Sequence, residues 1–270
     1  SGTYFVNVPL DSVDIAKKTY NMIKGSSETI AVSYSPSDTT VDANYSFVSN
    51  DTGIVTVDDS GNLTAVGNGS TTVTVSAYGS EFTLDVNVTT PITAVNFEKT
   101  GTQKVDVGSE ITNVATVSPS DTTDDKTITY TSSNPDCATV DEHGTVTGVA
   151  PGKTTITATA SNGVLNTYEV EVVISLQNVS LESSEFELTR GETKTLNVIY
   201  TPTNTTENKT VTWESSDPSI VSVSTFGEIT GLKGGKGVTI TGTLENGMKV
   251  TAKVDVIVPL EDIIVSDSSL

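Results

Sequence analysis

Cysteine is almost missing from these 270 residues: Cys137 stands alone, which excludes an intramolecular disulfide framework and leaves packing to hold any core. Histidine also occurs once, at His143. A single His without patterned Cys or carboxylate partners makes neither a catalytic triad nor a zinc site. Basic residues are scarce, 14 Lys and Arg against 34 Asp and Glu, for a net charge of −20. Such a field repels phosphate backbones and anionic lipid, so neither nucleic acid nor direct membrane contact is expected. No apolar run approaches the roughly 18 residues a membrane-spanning helix needs. Helical periodicity is also nearly absent. There is no signal peptide pattern, and the start at Ser1-Gly2 without an initiator Met reads as a segment of a longer protein.

What is there is a repeat. The stretch Asp141 to Ala160, DEHGTVTGVAPGKTTITATA, returns as DDSGNLTAVGNGSTTVTVSA from Asp58 and as STFGEITGLKGGKGVTITGT from Ser224. Gly61, Gly144 and Gly227 follow at a constant step of 83, as do Gly25, Gly108 and Gly191, and the loops SPSDTT from Ser35, SPSDTT from Ser118 and TPTNTT from Thr201. Only the junctions slip, with Pro9, Pro91, Ser175 and Pro259 at steps of 82, 84 and 84. A period this long, with several strands per unit, indicates an array of small domains.

Within each unit apolar residues alternate with Thr, Ser or Asp, as in Val73, Val75, Ala77 and then Phe82, Leu84, Val86, Val88, the pattern of half-buried antiparallel strands. Turn clusters recur every 8–12 residues or so, as in a sandwich. In the second unit the strands are expected at Ala94–Glu98, Gln103–Val107, Ile111–Ser118, Lys126–Ser132, Ala138–Asp141, Thr145–Val149 and Thr154–Ala160, with Thr167–Ile174 closing it. Ala16–Lys24 is read as strand and turn. The domains are expected at 9–90, 91–174 and 175–258. Residues 1–8 then hold a closing strand of a preceding repeat or a tag remnant, and 259–270 the start of a following repeat. Thr3–Val8 is expected to add a strand, and Leu260–Leu270 to fray or pair on the last domain. Junctions such as Val88-Thr89-Thr90-Pro91-Ile92 leave almost no linker, and proline stiffens the join by fixing φ, so a monomeric, elongated rod is expected.

Trp213-Glu214-Ser215-Ser216-Asp217-Pro218, its echo Tyr130-Thr131-Ser132-Ser133-Asn134-Pro135, the run from Val140 to Gly152 and the following TITATA together resemble the bacterial immunoglobulin-like group 2 family. The resemblance covers all three units. It is weakest in the first, where Asp51-Thr52-Gly53 lacks the proline and Asn68-Gly69 stands for Pro151-Gly152. It implies all-β, immunoglobulin-like sandwiches used as stalks or display modules in bacterial surface proteins, adhesins and phage virions, with no catalytic activity.

Each candidate site is weighed against its place in the repeat. The column Phe47, Tyr130, Trp213 could form a sugar platform, but its constant register makes it core, since aromatic rings carry much of a small core's burial. Phe226 and Tyr78 are the loop aromatics. Cys137 shares a column with Ile54 and Ile220 and reads as a small buried hydrophobe. The pairs Asp58-Asp59, Asp124-Asp125 and Asp141-Glu142 are adjacent acids, not the converging oxygens calcium requires, and the third unit has Ser224-Thr225 instead. The run Gly231 to Gly237 lacks the GK[ST] ending of a phosphate loop and reads as the Val149–Lys153 turn grown by one residue. Val146 with Leu63 and Ile229, and Val149 with Val66 and Leu232, are expected core columns. A Lys–Asn cross-link finds no repeated Lys column. The reading is a non-catalytic spacer on an extracellular bacterial surface, or alternatively a cell-surface or phage-virion module gripping a glycan or host protein through loops of one repeat. No catalytic, cofactor or metal residue is expected, and the partners are neighbouring repeats and a glycan or protein receptor.

Overall fold

The computed structural model describes residues 4–42 and 44–260. Three sheet groups repeat along the chain, each with a four-stranded, a three-stranded and a two-stranded sheet, and no helix occurs among the described residues. In the second repeat the four-stranded sheet runs Gln103–Asp106, Leu165–Val173, Gly152–Ala160, Ile128–Ser132, the first pair parallel and the rest antiparallel. Facing it are Glu110–Thr112, Thr145–Gly148 and Ala138–Val140, with the pair Ala94–Phe97 and Ala115–Ser118 beside them.

The core follows the alternation. Val73, Val75, Leu84 and Val86 are fully buried in the first repeat, as are Ile156, Ala158 and Val170 in the second and Ile240 and Val254 in the third. Thr residues between them face outward, and each buried Val, Leu or Ile stabilises by about 1.5–3 kcal/mol. Val146, Leu63 and Ile229 are fully buried as expected. Val149, Val66 and Leu232 are not core: they are 46%, 44% and 43% exposed. Each sits one step past its strand, where the backbone N–H turns inward to the carbonyl of Cys137, Ile54 or Ile220 and directs the side chain off the sandwich.

One expected strand is broken, while the two strands expected to open the unit are separate and lie on different faces, Ala94–Phe97 pairing with Ala115–Ser118 and Gln103–Asp106 with Leu165–Val173. The Ile111–Ser118 stretch splits into Glu110–Thr112 and Ala115–Ser118. Asn113 joins this break to the segment between the opening strands, its Oδ1 accepting from Lys99 N (2.8 Å) and its Nδ2 donating to Lys99 O (3.0 Å). A buried side-chain amide thus replaces a missing ladder rung. Ala16–Lys24 contains the strand Thr19–Ile23, parallel to Ser80–Thr89.

The remaining departures are local. Gly231–Gly237 does not lengthen the turn. The extra residue forms a bulge in Gly235–Leu244, where the register shifts between Gly235 and Val238 and Gly237 takes φ +72°, a conformation open to glycine. Residues 4–8 add no strand: Tyr4 and Phe5 are 94% and 92% exposed, and the bonds of this stretch run from Asn7 and Val8 to Thr39 and Thr40. Thr3 and the expected opening strand over 261–270 lie outside the described residues.

Candidate functional site

Each aromatic of the central column lies over a glycine of the following turn. A Cβ on Gly61 would approach Phe47 to 2.8 Å, one on Gly144 would approach Tyr130 to 3.1 Å, and one on Gly227 would approach Trp213 to 3.0 Å. These glycines have φ of +81°, +78° and +78°, so both the backbone and the ring above it exclude a side chain. Phe47, Tyr130 and Trp213 are half-buried, packed against their cores with an edge outward. Across the strand, the partner shrinks as the ring grows: Phe47 pairs with Val75, Tyr130 with Ala158, Trp213 with Gly242.

The turn is shaped by the residue that opens it. Asp141 Oδ1 accepts from His143 N (2.9 Å) and Thr145 N (2.8 Å). Asp58 Oδ1 does the same for Ser60 N and Asn62 N, and Ser224 Oγ for Phe226 N and Glu228 N. The acid is therefore a turn-former. The Thr145 backbone bond holds the Asp141 carboxyl below its ordinary value, and the Asn62 side chain does so first for Asp58. A depressed pKa contributes stability above the unfolded value that is lost as the pH falls through the folded one. We expect Asp141→Ser to retain the midpoint at pH 7 and to lose part of the decline below the ordinary aspartate range. Asp141→Ala should lower the midpoint at pH 7. Thermal unfolding at pH 7 and pH 3 checks both.

Lone reactive groups are placed as structure. Cys137 is buried, and burial pushes its thiol up. His143 is in the turn, 3.6 Å from the exposed Glu142. No lysine is buried, and among the described residues no three His, Cys, Asp or Glu side chains group to hold a metal. Tyr78 is engaged, its ring edge-on to Tyr34 at 6.1 Å and its hydroxyl donating to Asp42 O. In the second repeat Tyr168 Oη is buried without a hydrogen-bond partner among the described residues. Burial pushes this phenol up to about 12.

The joints carry a feature the sequence reading missed. Before each junction one residue is clamped by the paired threonines of the next SPSDTT-type loop. Val8 O accepts from Thr40 N (3.0 Å) and Thr39 Oγ1 (3.0 Å), Thr90 O from Thr123 N (2.8 Å) and Thr122 Oγ1 (2.8 Å), Ile174 O from Thr206 N (3.0 Å) and Thr205 Oγ1 (2.7 Å). The returning amides close the clamp: Val8 N, Thr90 N and Ile174 N donate to Thr40, Thr123 and Thr206 Oγ1. The threonine pairs at constant step were the available signal. At the first joint Lys24 Nζ and Asn68 Nδ2 also reach Asp121, each at 2.7 Å. At the second, a cleft of about 540 Å³ opens between walls carrying Lys104 and Lys153 on one side and Glu207 and Glu245 on the other.

These sandwiches, clamped end to end, define an immunoglobulin-like repeat protein. Residues 85–170 and 175–254 match the bacterial Ig-like domain (group 2), and residues 37–78 the intimin immunoglobulin-like domain. The chain belongs to the bacterial Ig-like group 2 family, whose domains are typical of bacterial surface proteins and adhesins and are typically non-catalytic. It is 32% identical over 168 residues to an uncharacterized protein of Clostridium acetobutylicum, covering 62% of this chain and 17% of that protein. It is 43% identical over 75 residues to a 3-O-alpha-D-galactosyl-alpha-L-arabinofuranosidase of Bifidobacterium longum subsp. longum, covering 28% of this chain and 6% of the enzyme. The chain therefore spans less than a fifth of the length of these relatives. Mouse cadherin-23 EC22-24 superposes with a TM-score of 0.40 at 17% identity, covering 91% of this chain and 97% of that one. Among the described residues no helix is long and apolar enough to cross a membrane.

Proposed function

We propose that the chain is a non-catalytic spacer of an extracellular bacterial surface protein, with domains at 9–90, 91–174 and 175–258, that holds a functional region carried elsewhere in a longer chain. The threonine clamp carries this reading. It recurs at Val8, Thr90 and Ile174 and fixes the main chain of each closing residue to the next repeat through threonine amide and hydroxyl hydrogen bonds, a way to limit bending without a linker. The short coverage of the arabinofuranosidase agrees with a module attached to longer proteins. A phage virion surface is the alternative setting, and in either case the repeats act as a monomeric array.

The rod is tested by small-angle scattering. A strand of nine or ten residues is about 30 Å long, so three sandwiches in line give a radius of gyration of roughly 30 Å, against roughly 18 Å for a compact chain of this length. A value near the compact figure overturns the spacer reading. Thr205→Val with Thr206→Val is expected to broaden the distance distribution at the second joint while leaving the thermal midpoint nearly unchanged.

A further inference from the structure

We propose that the third repeat carries a carbohydrate-binding groove, formed by Tyr200, Trp213 and Phe226 and specific for a neutral oligosaccharide. These three positions are all aromatic only in this repeat. Their columns hold Val117, Tyr130 and His143 in the second and Tyr34, Phe47 and Ser60 in the first, so the fold requires neither Tyr200 nor Phe226. They line one groove of about 490 Å³ with Thr195, Asn197 and Lys209.

Tyr200 and Trp213 are held in place, and the backbone that carries Phe226 is fixed. Trp213 lies against Gly227 and Gly242, where added Cβ atoms would come within 3.0 and 2.6 Å of it, and the indole keeps a half-exposed edge toward the groove. Tyr200 Oη donates to Lys209 O (2.9 Å), and the Lys209 ammonium is 5.4 Å from the Tyr200 ring while donating to Thr203 O (2.9 Å). Phe226 sits at the tip of a turn fixed by Ser224 Oγ, yet it is 89% exposed. A large ring left in water on a turn of fixed backbone offers apolar surface for a ligand to cover.

The lining selects the ligand. Rings beside hydroxyl, amide and ammonium groups suit a pyranose, which presents an apolar C–H face ringed by hydroxyls. No lining residue is acidic, although the chain carries −20 overall. That field opposes polyanions approaching the groove and favours a neutral sugar. The site is independent of the spacer role: scattering tests one, ligand titration the other.

Trp213 is the only tryptophan, so its emission reports on the groove directly. The full chain is titrated with β-1,4-linked gluco-, xylo- and galacto-oligosaccharides to millimolar concentration. A saturable change in Trp213 emission is expected with at least one of them, weakened tenfold or more in Phe226→Ser and in Tyr200→Val. The thermal midpoint of Phe226→Ser should equal that of the parent, since the ring is exposed. An unchanged affinity in Phe226→Ser overturns the proposal, as does a flat titration with the whole panel. So does sedimentation showing concentration-dependent dimers that Phe226→Ser abolishes, which makes the groove a self-association surface.

Discussion

Gly242→Val is expected to destabilise the third repeat by about 3 kcal/mol, the upper end of what overpacking costs. The first added carbon would lie 2.6 Å from the Trp213 ring and 2.7 Å from Val211 Cγ1, and neither can withdraw. The indole also lies against Gly227, where a Cβ would come within 3.0 Å of it, and Val211 belongs to the same strand. A unit of about 83 residues has some 4–12 kcal/mol in all, so the loss is a large fraction of its stability. Combining Gly242→Val with Trp213→Phe recreates the Phe47–Val75 pair of the first repeat and should recover most of it. The coupling between the two changes is then about 2 kcal/mol, within the range for touching residues. Calorimetry of the parent, both single variants and the double variant measures this. Additive effects would show that ring and partner do not compensate each other.

That compensation could not be read from the sequence, although both columns were in view. Phe47, Tyr130 and Trp213 keep a step of 83. Their partners Val75, Ala158 and Gly242 follow steps of 83 and 84, because the Gly237 bulge has displaced the third. Register across a sheet is set in three dimensions, and one inserted residue hides it from a fixed period. What the period did fix was whatever lies within one strand or turn: the Val146, Leu63 and Ile229 core column and the Cys137 position are as expected. Periodicity failed where the chain leaves a strand. Val149 looked apolar and regular, but it is exposed because its amide turns back to Cys137 O. Ile111–Ser118 looked continuous, but Asn113 spends its amide on Lys99 and divides it. The threonine clamps escaped notice for a different reason. Thr pairs are common in such a chain, and only geometry shows that these face the junction. For the groove, Phe226 was visible as a loop aromatic. Its convergence with Tyr200 depends on the fold, since Tyr200 comes from the two-stranded sheet, Trp213 from the four-stranded one and Phe226 from a turn of the third.

Ile156→Ala is expected to unfold the middle repeat at a lower temperature and leave its neighbours at theirs. Ile156 is fully buried, and truncating it to Ala costs about 2–5 kcal/mol, part lost transfer energy and part cavity. The effect should remain local because each apolar cluster draws on one repeat: residues from Ile15 to Val88 in the first, Ile92 to Val172 in the second, Leu188 to Val256 in the third. What crosses the joints is the threonine clamps and a few polar side chains, such as Lys24 with Asp121. Hydrogen bonds of that kind are worth about 0.5–1.5 kcal/mol each, too little to pull a neighbour down with the damaged unit, as a core shared between units would. Calorimetry should therefore resolve one displaced transition in Ile156→Ala. A single transition shifted as a whole would mean that the joints couple the cores. Independence suits a spacer: a unit that unfolds under tension lengthens the array by its own contour and leaves the other two folded, so the array stays connected and can recover when the load is removed.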